Sequence, residues 1–229
     1  RTNDGSDQII ASFDRSEYWR LEINGSSAGT GQVGVGLRTD AGTLDFGSVS
    51  RIDDGQWHHV AAVYDNGDLS IYIDGNLDNS TSMGSFLGSG LTRYGFIGIG
   101  SEATAYNGST NGAHFNGDLD EFRLWHTART LTEIREDQYE CLNGSEPGLI
   151  INLRMDEGTG TAVRSVTGTG DGVISGANWI SDGQLFNCSA CGESNRVPVQ
   201  ASIYDEIDSV NYAVSYPGDA GTYISMQAF

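Results

Sequence analysis

DGQWHHVAAVYDNGDLSIYIDG, residues 54–75, decides the fold. In HHVAAVYD, His59, Ala61 and Val63 alternate with Val60, Ala62 and Tyr64. In DLSIYIDG, Leu69, Ile71 and Ile73 alternate with Ser70, Tyr72 and Asp74. Successive side chains of a strand point to opposite faces, so this period of two marks two strands, each with two unlike faces. Between them Asp65-Asn66-Gly67-Asp68 carries an Asn-Gly step, the strongest short signal for a tight turn with positive φ. A second turn, Asp74-Gly75-Asn76, closes the unit.

Composition bounds what surrounds this hairpin. At 229 residues the chain can bury one sizeable core, as an all-β domain of the larger kind. Glycine is abundant, at 32 residues, against 3 prolines, so turns are built from Gly, Asn and Asp. The formal net charge is -19, which argues against nucleic acid or an anionic membrane as partner, because both are polyanions. It also leaves carboxylates free for a divalent cation. Every basic residue is Arg. No apolar run is long enough to insert into a membrane. No secretory leader is visible, and the text opens at Arg1 as if in mid-domain, as a mature product or one unit of a longer chain would.

Sequons stand at Asn24, Asn79, Asn107, Asn143 and Asn187, and the cysteines are Cys141, Cys188 and Cys191. Sequons arise by chance in Gly/Ser/Asn-rich text. Together with cysteines they tilt the reading toward an extracellular or cell-surface glycoprotein. Cys188-Ser-Ala-Cys191 is half a zinc site without a second pair. A disulfide from Cys141 to Cys188 or Cys191 suits a secreted chain better, and leaves the third thiol free or joined to a neighbour.

Outward from the hairpin, DQIIASF (7–13), EYWRLEIN (17–24), QVGVGLRT (32–39) and GTLDFGSV (42–49) read as strands. Residues 76–90 read as a loop, YGFIGIG (94–100) as a strand, and 101–116 as a long polar loop. Asp118–Trp125 reads as one strand, with Leu119, Glu121, Arg123 and Trp125 on one face. Thr130 with Glu133 three residues on forms a capping box, predicting a short helix near 130–136.

WHHVAAVY, the Tyr-Ile-Asp-Gly strand, FNGDLDEFRLW and the TLTEI helix together resemble the laminin-G-like jelly roll of the concanavalin A-like lectin/glucanase superfamily. The resemblance covers about residues 7–136. It implies a two-sheet antiparallel sandwich that binds rather than catalyses. GLIINLRMDEGTGTAVRSVTGTGDGVISGANWI (148–180) resembles the strand pair that opens such domains, and VNYAVSYPGDAGTYISMQAF (210–229) resembles their next strand. The pieces therefore stand in permuted order within a single domain of residues 1–229. A main block (1–147) is followed by the opening strands (148–180), a cysteine-containing polar connection (181–209) and a terminal strand (210–229). Two arrangements fit. Either the chain closes on itself with Phe229 beside Arg1, or the terminal strand completes a neighbouring copy and links units head to tail in a surface fibre.

The resemblance also implies candidate sites. In related jelly rolls an acidic residue on the late strand and one near the first strand share a structural calcium. Here those positions are Asp120, Asp156 and Glu157; turn capping is the plainer reading of each. The histidines His58 and His59 are adjacent, so on a strand they face opposite ways and cannot easily share a metal. Glu206-Ile207-Asp208 begins the glucanase signature, but Asn211 stands where the second catalytic Glu is needed, so no catalytic residues are expected. Trp19, Tyr94, Tyr106 and Trp179 are candidates for stacking on sugars, against the plainer reading that the tryptophans are core. The sequence thus predicts a non-catalytic structural or adhesive module, with a calcium-stabilised carbohydrate-binding domain as the alternative.

Overall fold

A computed structural model describes residues 1–91, 93–105, 108–174 and 176–180, with the side chain of Asn111 excepted, and the backbone of residues 200–203 and 224–228. In chain order the strands are β1 (Gln8–Phe13), β2 (Trp19–Ile23), β3 (Gln32–Thr39), β4 (Gly42–Arg51), β5 (Val60–Asp65), β6 (Asp68–Ile73), β7 (Asn76–Ser82) and β8 (Phe96–Ile97). The short pieces β9 (Gly100–Ser101) and β10 (Thr110–Asn111) follow, then β11 (Gly117–Leu119) and β12 (Phe122–Trp125). Helix α1 (Leu131–Asp137) precedes β13 (Leu149–Leu153), β14 (Ala162–Val163), β15 (Gly172–Val173), β16 (Ala177–Ile180), β17 (Gln200–Ile203) and β18 (Ile224–Ala228).

Two antiparallel sheets form the jelly-roll sandwich, ordered β4-β3-β2-β1-β8 and β13-β12-β18-β5-β6-β7. The opening hairpin is β5 and β6, paired from Val60↔Ile73 to Asp65↔Asp68. Its turn has positive φ at both Asn66 and Gly67, as the Asn-Gly step requires. The alternating apolar set of each sheet turns inward. Trp19, Leu21, Val35 and Leu37 pack against Val60, Ala62, Tyr64, Leu69 and Ile71. Each such Leu or Ile, fully removed from water, contributes about 1.5–3 kcal/mol.

The outer face of the six-stranded sheet is apolar at Ala61 and Val63, and Ile134 of α1 covers it. The capping box forms as read, with Glu133 Oε2 accepting from Thr130 N at 2.7 Å and Thr130 Oγ1 accepting from Glu133 N at 3.3 Å. Arginines clamp the helix. Buried Arg123 donates to the carbonyls of Asp137 and Glu140, Arg129 stacks 4.0 Å over Trp125, and Arg135 Nε reaches the Gly75 carbonyl at 2.7 Å.

Three expectations need correction. Residues 76–90 are not all loop, because Asn76–Ser82 forms the edge strand β7. Its side chains are polar because it bridges rather than fills. Asp78 accepts from the backbone of Val49 (2.5 Å) and Ser50 (3.1 Å) on β4, closing one side of the sandwich. The 94–100 strand is broken into Phe96–Ile97 and the start of β9 at Gly100. Asp118–Trp125 is two strands rather than one. Glu121 has φ +49 and interrupts the alternation, so Leu119, Phe122 and Leu124 all join the core.

The terminal strand lies in its own chain. β18 is inserted between β12 and β5, with Ile224↔Tyr64, Met226↔Ala62 and Ala228↔Val60 on one side and Arg123↔Gln227 on the other. Its Ile-Ser-Met-Gln-Ala pattern sets apolar residues in register with core residues of β5. Phe229 lies outside the described residues, but Ala228 reaches Val60, which lines one cavity with Arg1.

Candidate functional site

Segments 1–4, 53–58 and 115–118 meet at this end of the sandwich, tied by backbone and side-chain hydrogen bonds. Gly55 N donates to the Thr2 carbonyl at 2.9 Å and Asp118 N to the Arg1 carbonyl at 2.8 Å. Thr2 Oγ1 donates to the Asn116 carbonyl at 2.6 Å and accepts from Asp4 N at 3.0 Å. Asn116 Nδ2 donates to Asp4 Oδ2 at 3.1 Å, and its backbone N to Gln8 Oε1 at 2.9 Å. Arg1 donates from two guanidinium nitrogens to Asp118 Oδ2, at 2.9 and 2.6 Å, and its guanidinium carbon lies 5.0 Å from the centre of the Trp57 ring. Gly117 is what lets these backbones approach, since a Cβ there would stand 2.3 Å from the Arg1 carbonyl oxygen.

The result is a polar cleft of about 180 Å³, lined by Asn3, Gly55, Asn116, Gly117 and Asp118 with Arg1 and Thr2. At about 30 Å³ per water, that is room for roughly six. Carboxamides, a carboxylate and glycine backbone face it, a set able to give and take hydrogen bonds with a polyhydroxylated ligand. Its surroundings are acidic. Hydrogen bonds from Ser6 and then Asn116 hold the Asp4 carboxyl below the usual range. The Gln56 backbone N–H, then His58, do the same for Asp54. His58 sits between two carboxylates, 2.9 Å from Asp74 Oδ2 and 3.1 Å from Asp54 Oδ1. Its neighbour His59 is buried.

Of the expected calcium residues, Asp120 stands at the break between β11 and β12, and Asp156 and Glu157 follow β13. Asp120 is buried, and its Oδ1 accepts from Glu121 N at 3.0 Å. Burial, then the charge of Glu121, pushes its pKa up to about 8. Burial also raises Glu121, opposed by Arg123 at 3.0 Å. Asp156 is near enough to act on both electrostatically. Glu157 instead accepts from Arg164 N at 2.6 Å. Among the described residues no three or more His, Cys, Asp or Glu side chains converge as a metal site. Burial and the neighbouring carboxylates favour the neutral form of Asp120.

Of the stacking candidates, Trp19 is wholly buried core and Trp179 is half-buried, donating to the Gly160 carbonyl at 2.8 Å. Tyr94 packs on a small cluster with Phe96 and Ile99. Tyr106 lies outside the described residues, as do Asn107, Asn187, Cys188, Cys191 and the Glu206–Asn211 stretch. Asn143 is exposed, Asn24 is half-buried at a turn, and Asn79 Nδ2 is engaged by the Gly47 carbonyl at 2.8 Å. Cys141 is half-buried after α1.

A family model described as the concanavalin A-like lectin/glucanases superfamily, laminin-G type, matches residues 1–135. The chain belongs to that superfamily. No curated protein matches this superfamily member. Among solved structures it is similar to a candidate carbohydrate binding protein from Bacteroides ovatus, with a TM-score of 0.51 and 16% identity over 90% of this chain. The chain spans about half, 54%, of that protein's length. At this identity the likeness concerns the fold. The superfamily includes glucanases as well as lectins, so function has to be argued from the cleft. No helix among the described residues is long and apolar enough to cross a membrane.

Sequence reading missed the cleft. Asn3 and Asn116 look like ordinary loop residues, and Asp118 like a strand residue. The one available signal was Asn116-Gly117-Asp118 within the family marker FNGDLDEF.

Proposed function

We propose that the chain is a non-catalytic, extracellular carbohydrate-binding module, and that the sugar sits in the cleft of Asn3, Gly55, Asn116 and Asp118. The observation that carries this is the cleft's lining, which offers carboxamide, carboxylate and backbone groups in a space suited to one sugar ring. A lectin fold is the natural frame for such a site. The sequons and cysteines support an extracellular setting, and Asn211 in place of a second Glu supports a binding role over hydrolysis. Glycan-array screening followed by calorimetry tests it. Asn3→Ala and Asn116→Ala should each weaken binding about tenfold, since each removes hydrogen bonds worth about 1 kcal/mol or more. Binding unaffected by both substitutions would move the site elsewhere.

A second reading comes from the place of β18. A central strand joined to both neighbours makes the same pairings whether it comes from its own chain or another, so exchange of β18 would link copies head to tail. Light scattering that gives a monomer at every concentration up to the millimolar range ends that reading.

A further inference from the structure

Adjoining the polar cleft is a second, smaller cavity of about 20 Å³. Ile10, Ile23, Ile52, Val60, Phe115 and Leu119 line it, and Arg1 and Thr2 line both it and the cleft. Its volume suits a single water or methyl group, and apolar walls favour the methyl. Gln56 and His58 stand at its polar side. The Gln56 side chain is exposed, so its carboxamide is open to a ligand amide. The Arg1 guanidinium is engaged by Asp118, and the His58 ring lies between Asp54 and Asp74. A carboxylated sugar would meet the carboxylates of Asp4, Asp54 and Asp118, and the Arg1 guanidinium is already held by Asp118.

We infer that the ligand is a 2-acetamido sugar, its ring in the polar cleft, its acetamido methyl in the apolar cavity and its amide against Gln56. This rests on the carbohydrate-binding reading. A buried methyl in a fitted apolar pocket discriminates about tenfold or more against a ligand that lacks it.

Calorimetry with five probes tests the inference: N-acetylglucosamine, N-acetylgalactosamine, glucose, galactose and glucuronic acid. The expected result is that at least one acetamido sugar binds about tenfold tighter than its parent hexose, and that glucuronic acid binds weakest. Ile52→Phe, which fills the cavity, should bring the ratio of acetamido sugar to parent toward one. A thermal melt checks its fold, and Gln56→Ala, at an exposed position, should lower the same ratio without threatening the core. Equal affinities for acetamido sugars and parents, or tighter binding of glucuronic acid, overturn the inference and leave the carbohydrate reading standing. Binding of none of the five, confirmed on a glycan array, overturns both.

Discussion

Asp120→Asn should make the protein more stable, and increasingly so as pH rises. The Asp120 carboxyl is buried, beside Glu121 and within reach of Asp156, and titrates near 8 rather than near 3.8. The folded protein therefore holds this proton more tightly than the unfolded chain does. Its contribution to stability is complete below about pH 4, is lost progressively as pH rises toward 8, and changes no further above that. At about 1.4 kcal/mol per pH unit over that interval, the ceiling is about 6 kcal/mol. That is comparable to the whole stability of a modest domain, about 5–15 kcal/mol. Asparagine keeps an oxygen to accept from Glu121 N and cannot ionise, so the variant escapes this loss. Urea unfolding followed by tryptophan fluorescence, from pH 5 to pH 9 in chelator, measures both proteins. The gap between wild type and variant should widen by about 4 kcal/mol from pH 5 to pH 9. Parallel pH profiles would refute a buried, proton-holding Asp120. Repeating the wild-type series in excess calcium decides whether a cation holds the ionised carboxylate. An unfolding midpoint at pH 9 that calcium leaves unchanged excludes Asp120 as a calcium ligand.

Other substitutions probe the frame around the cleft. Gly117→Ala places a methyl 2.3 Å from the Arg1 carbonyl oxygen; unfolding should show a loss of about 1–3 kcal/mol, with sugar binding lost as well. Both amide atoms of the fully buried Asn152 lack hydrogen-bond partners among the described residues. Asn152→Leu should therefore raise stability by about 1–2 kcal/mol in urea unfolding, and a loss would mean the amide is satisfied. Asp78→Ala removes the acceptor for Val49 N and Ser50 N; stability should fall by about 1–3 kcal/mol, and light scattering should show association through the bared edge of β4.

Sequence pattern revealed the sandwich where local and tertiary demands agree. The β5–β6 hairpin alternates because one face is core, and its turn carries Asn-Gly because both residues need positive φ. Strand β7 escaped notice because its task is to bridge two sheets, so Asp78 and Asn79 matter more than any apolar stripe. The break at Glu121 was invisible because glutamate gives no turn signal, and only the surrounding structure holds it at φ +49. The order of pieces did point to a strand at 210–229, yet its partner depends on register across the sheet, which one sequence does not carry. The cleft was hidden for a related reason. Backbone acceptors at Arg1, Thr2 and Asn116 hold its segments together, and backbone groups leave little mark on side-chain pattern.

The position of β18 sets a timetable for synthesis. Its neighbours β5 and β12 are complete by residue 125, but residue 224 must emerge before they can be joined. At about 5–20 residues per second, the nascent chain carries an open sheet for roughly 5–20 s. During that interval the edges of β5 and β12 offer unpaired N–H and C=O groups to any extended segment nearby. A ribosome-bound chain of this protein should therefore depend on chaperone protection late in translation, when most of its core residues are already made.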